Sequence, residues 1–100
     1  MSDKEAFKIK HMRKLLLHNL DMMYPSGLRL DSLYRTVVII DLTYDESLFA
    51  KDISYLSGKG YIEFVDDKIG GLPFKKKVAR LTVEGKEIAE KTQTDPALEV

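Results

Sequence analysis

Apolar residues at Ile9, Met12, Leu16, Leu20 and Met23 recur at intervals of three and four, the spacing that lines one face of an α-helix. Phe7, Leu15 and Met22 widen that stripe, while Lys8, Lys10, Arg13, Lys14 and His18 take the other side. The spacing predicts a helix from about Ala6 to Met23. Tyr24-Pro25-Ser26-Gly27 ends it, because proline disfavours helical geometry in the residue before it and glycine permits a tight turn. Leu28-Arg29-Leu30 alternates and is short enough to be a stub strand. Asp31 or Ser32 can then cap a second helix running to about Ile39, with Leu33, Val37 and Ile40 facing inward. The run Val37–Ile40 also suits a strand by β-propensity; the capped start favours the helix.

Thr43-Tyr44-Asp45-Glu46 reads as a capping box opening a third helix, Thr43 to Ser57. Asp45 suits the positive end of its dipole. Leu48, Phe49, Ile53 and Leu56 form its buried stripe, and Ser47, Ala50, Lys51, Ser54 and Tyr55 its outer face. Gly58 stops the helix and Gly60 turns the chain into a strand, Tyr61 to Val65, with Ile62 and Phe64 on one side. The stretch Asp66–Pro73 is too long for a two-residue turn and forms a loose tip. A return strand spans Lys76 to Thr82, offering Val78, Ala79 and Leu81 to the core. Thr82 caps a last helix that packs Val83, Ile88 and Ala89 inward. Residues 93–100 lack a stripe and read as a flexible tail on a single domain of residues 1–92.

At Ile53-Ser54-Tyr55-Leu56-Ser57-Gly58-Lys59-Gly60-Tyr61-Ile62, and again at Arg80-Leu81-Thr82-Val83-Glu84-Gly85-Lys86-Glu87-Ile88-Ala89, the chain resembles the winged-helix superfamily. It looks most like the small bacterial, archaeal and phage regulators related to the MarR and PadR groups, over roughly residues 6 to 92. The fold the resemblance implies is α+β, a winged helix-turn-helix with a three-helix core, a β-hairpin wing and a C-terminal helix. The function it implies is duplex DNA binding in transcription regulation. The 43–57 helix would enter the major groove with Ser47, Lys51, Ser54 and Tyr55, and the 66–77 wing would touch the backbone with Lys68, Lys75, Lys76 and Lys77. The recognition helix departs from that pattern. It begins with Asp45 and Glu46, contains Asp52, and carries no arginine, asparagine or glutamine for bidentate base readout.

Charge sharpens that departure. Formal net charge is zero and the pI is about 6.7, whereas many nucleic-acid-binding domains lie above about 9. A winged helix used as a protein-interaction module is therefore the alternative reading, with the acidic, tyrosine-bearing helix face docking onto a protein. The chain has no cysteine, which excludes a disulfide framework and thiolate zinc sites and fits a reducing cytoplasm. Its longest apolar runs, Leu15–Leu17 and Val37–Ile40, fall far short of the roughly 20 residues a membrane span needs.

On an extended strand, Lys75–Lys77 can meet phosphates with release of counterions, or simply protect a solvated edge from strand-to-strand pairing. The basic face Lys8, Lys10, Arg13 and Lys14 has the same two readings, solvation being the commoner. His11 and His18 stand two helical turns apart, about 10 Å along the axis, too far for one small ion. Capping accounts for Asp45 and Glu46, and Arg35 or a lysine can pair with Asp52. Neither a phosphate-cradling glycine loop nor a nucleophile elbow occurs. The expectation is a protein that is not an enzyme and uses no metal or cofactor. The apolar supply of the first helix leans towards a homodimer over a purely internal core.

Overall fold

The computed structural model describes residues 3–65, 73–95 and Val100, with side chains from Ala6 onward. Among the described residues are four α-helices and a three-stranded antiparallel sheet, an α+β arrangement. In chain order they are α1 (Asp3–Met23), β1 (Leu28–Arg29), α2 (Leu30–Val38), α3 (Glu46–Gly58), β2 (Ile62–Val65), a 3-10 turn (Phe74–Lys76), β3 (Val78–Leu81) and α4 (Val83–Thr94). That order is compatible with the arrangement the sequence leads one to expect. None of these helices is long and apolar enough to cross a membrane.

The leucine-rich middle of α1 is the spine of the core. Met12, Leu16, Leu17 and Leu20 are buried and meet Leu30, Leu33 and Val37 of α2 and Phe49, Ile53 and Leu56 of α3. Fully burying each such side chain contributes about 1.5–3 kcal/mol. The stripe is narrower at its ends than its spacing predicts. Phe7, Met22 and Met23 lie exposed, because the elements packed on α1 cover only its central turns. Leu17, which the three-and-four spacing does not include, is wholly buried.

In the sheet β3 is central, paired with β1 through Leu28↔Ala79 and with β2 through Ile62↔Leu81 and Phe64↔Ala79. Ala79 and Leu81 point into the core, as does Ile62. Gly60 turns the chain between α3 and β2 at φ +77, a conformation glycine adopts without steric penalty.

Several local expectations are corrected. Helix α2 starts at Leu30 without a side-chain cap, and the Asp31 carboxylate instead accepts from the Ser32 amide and the Arg29 guanidinium. Ile40, expected inside, lies past the end of α2 and is exposed. Thr43 does not cap α3: its hydroxyl donates to Asp41 at 2.6 Å, and Asp45 caps the helix by accepting from the Leu48 amide at 2.8 Å. Thr82 does cap α4, accepting from Gly85 N at 3.0 Å while donating to Gly60 O at 2.5 Å. Val83, expected inside, is exposed because it opens the first turn of α4 on the solvent side. The tail expected from residue 93 is helical through Thr94, and Val100 is buried.

Candidate nucleic-acid interface

Helix α3 sits with Phe49, Asp52, Ile53 and Leu56 turned inward. At 3.6 residues per turn that leaves Ser47, Lys51 and Ser54 together on the outer side, and all three are exposed. Tyr55 is not with them. It turns towards α1 and is half-buried, with the Arg13 guanidinium over its ring at 3.6 Å and the Lys59 ammonium at 5.7 Å.

Asp52 is the buried acid of the helix, and its partner is neither Arg35 nor a lysine. It accepts from Arg13 Nε at 3.2 Å and from the Tyr44 hydroxyl at 2.7 Å. Burial, and then the hydrogen bond to Asp52, raise the Tyr44 phenol above its ordinary pKa. Arg13 also donates to the backbone oxygen of Val100 at 3.4 Å. One ion pair thus fixes α1, α3 and the loop before α3 to each other. The two charges are 39 positions apart in sequence, so no local pattern could have paired them.

The lysine run is not the extended strand that its sequence suggests. Behind Pro73 the chain makes a 3-10 turn, with Lys76 N donating to Pro73 O at 2.9 Å and Lys77 N to Phe74 O at 3.2 Å. The three lysines therefore part company. Lys75 reaches Glu46 at 2.8 Å, and that hydrogen bond holds its ammonium above the usual pKa. Lys76 is exposed, and Lys77 is half-buried with its ammonium 5.5 Å from the Phe64 ring. Lys68 lies outside the described residues.

The turn also carries Phe74, which no helix or strand period singles out. Its ring meets Phe49 edge-on at 6.2 Å and remains 39% exposed. On one side of it a groove of about 850 Å³ runs between α2, α3 and the turn, lined by Tyr34, Arg35, Ser47, Phe49 and Lys75 among others. On its other side a groove of about 410 Å³ holds Ala50, Ser54, Gly58, Phe64 and Lys77. A phenylalanine directly before three lysines was the available signal, but its placement against α3 is a tertiary fact.

The acids at the start of α3 are locally answered, Asp45 by the Leu48 amide and Glu46 by Lys75. The Glu46–Lys75 pair is more than half exposed on both sides, so it contributes about 1 kcal/mol or less and opens at little cost. The histidines are separate. His11 stacks on Phe7, whereas His18 is 2.9 Å from the Thr92 hydroxyl, and burial lowers its pKa.

No protein-family model and no curated protein matches the chain. Among solved structures it is similar to SSV1 F-93, a viral protein, with a TM-score of 0.58 and 17% identity, over 82% of this chain and 82% of that one. At that identity the likeness is one of fold, and this chain shares the fold of a viral protein.

Proposed function

We propose that the chain is a small winged-helix DNA-binding protein, a transcription regulator of prokaryotic or phage type acting in the cytoplasm. Helix α3 enters the major groove through Ser47, Lys51 and Ser54. The lysine turn lies on adjoining phosphates, where the sequence also leads one to expect Lys68, a residue outside those described. The contact between Lys75 and Glu46 at 2.8 Å carries the reading. It brings the lysine turn beside the Ser47 side of α3, and it neutralises an acid that would otherwise repel phosphate. The fold shared with a viral protein and the outward face of α3 support the same reading.

The test is fluorescence anisotropy with a labelled random-sequence duplex at several salt concentrations. Binding should weaken steeply with salt, each phosphate contact adding about 0.9 to the log–log slope. Lys51→Ala and Lys76→Ala should each reduce that slope by about one. A folded protein that binds no duplex at low salt refutes the proposal. That result would favour a protein-interaction module, which zero net charge and the exposed Asp45 and Glu46 support. We also propose a homodimer, on the strength of Phe7 and Met22 standing exposed on α1; sedimentation of the wild type beside Phe7→Ser/Met22→Ser decides it.

A further inference from the structure

Phe74 is the aromatic side chain that the lysine turn sets against α3. Backbone hydrogen bonds fix the turn on both sides of it: Lys76 N donates to Pro73 O at 2.9 Å, and Leu30 N donates to Lys77 O at 2.9 Å. The Phe74 ring rests on Phe49, and its exposed part lies between the grooves containing Ser47, Ala50 and Ser54. The exposed part of the ring forgoes the free energy its burial would supply, so a partner surface that covers it gains that part.

The neighbouring side chains say what kind of surface that is. Lys51 on α3 and Lys76 beside Phe74 are exposed cations with no charged partner among the described residues, a charge pattern complementary to phosphates. Between them lie two hydroxyls, one methyl and the ring; the guanidinium nearest them, Arg35 on α2 across the larger groove, is 4.0 Å from the Asp31 carboxylate. Hydrogen-bond readout is thus poorly provided for, and apolar contact is well provided for. The major groove offers one distinctive apolar group, the C5-methyl of thymine, which alanine and phenylalanine contact.

Resting on the DNA-binding reading, we infer that Phe74, with Ala50 beside it, reads thymine methyl groups. The chain prefers thymine-rich duplex, with sequence preference carried by van der Waals contact and affinity by Lys51 and Lys76.

The experiment compares one A·T-rich duplex with the same duplex containing deoxyuridine for thymidine, which keeps the pairing and removes only the methyl groups. A third duplex, G·C-rich, is prepared with cytosine or with 5-methylcytosine, which returns a methyl to the groove. All are titrated against the full chain by anisotropy at one salt concentration. Wild type should lose about fourfold in affinity for each contacted methyl removed, and should gain on cytosine methylation. Phe74→Ala, checked for folding by circular dichroism, should lose most of the discrimination between the two A·T duplexes with an unchanged salt slope, the remainder resting on Ala50, and Phe74→Leu should keep more of it. Equal affinity of wild type for thymine and uracil duplexes, or discrimination undiminished in Phe74→Ala, overturns the inference while leaving DNA binding in place. Failure to bind any of the duplexes overturns both.

Discussion

Replacing Asp52 by asparagine keeps the shape of the side chain and removes its charge, and the structure sets the expected cost. The carboxylate is 8% exposed and its Arg13 partner 20% exposed. Asparagine can still accept from the Tyr44 hydroxyl, so the loss falls on the Arg13 contact. Hydrogen bonds to charged groups contribute about 1.5–3 kcal/mol, and stranding one partner of a fully buried pair costs about 3–5 kcal/mol. Water reaches Arg13, and its guanidinium keeps the Tyr55 ring at 3.6 Å, so the lower range applies and about 2 kcal/mol is expected. Tyr44→Phe, which removes one hydrogen bond and leaves a carboxylate oxygen without its donor, should cost about 1.5 kcal/mol. The chain has no tryptophan, so urea unfolding is followed by helical circular dichroism. A loss of 2 kcal/mol moves the midpoint by about 1–2 M at an ordinary slope for a small domain. In a cycle with Arg13→Met the two substitutions should couple by about 1–2 kcal/mol. A cost below about 0.5 kcal/mol for Asp52→Asn, or strict additivity in the cycle, would refute the view that this pair fastens α3 to α1.

Three further outcomes are expected. His18 has a pKa lowered from 6.5 by burial, with Asp21 opposing and Lys14 adding to the effect. The unfolded chain therefore binds the proton more readily, and the stability contribution present above about pH 6.5 is lost as pH falls towards the folded value; urea midpoints at pH 7.5 and 5.5 should differ less in His18→Gln. Gly85→Ala should destabilise by about 3 kcal/mol or prevent folding, since a Cβ there collides with the Tyr61 carbonyl, and a melting temperature within a few degrees of wild type would contradict this. Asp45→Ala should cost about 1 kcal/mol as the loss of a helix cap, and Thr43→Ala distinctly less, because Thr43 only closes an exposed turn with Asp41; equal costs would restore Thr43 as the cap.

Much of the framework was legible from local physics. The leucines of α1, the cap at Thr82, the Gly60 turn and the alternation of Ile62, Ala79 and Leu81 are consequences of helical period, hydroxyl geometry and strand pleat, and each is met in the structure. Where two local solutions were available, sequence could not choose. Thr43 and Asp45 are both good caps, and the chain uses Asp45 because the Asp41 turn has already engaged Thr43. The lysine run looked like strand, but Pro73 and the docking of Phe74 on Phe49 curl it into a turn.

Sequence alone determined the four helices, the strands on either side of the hairpin and the centre of each apolar face, because those properties repeat every few residues; the lysine turn and the ends of the apolar faces fell outside that reach. Tertiary structure decided what the charged side chains do. Asp52 met Arg13 rather than Arg35, Lys75 met Glu46, and Tyr55 went under Arg13 and out of the outer face of α3. The physical reason is range. A helical stripe needs only its own period, whereas an ion pair needs two distant elements to cross at a particular place, and that crossing is set by how the buried side chains pack.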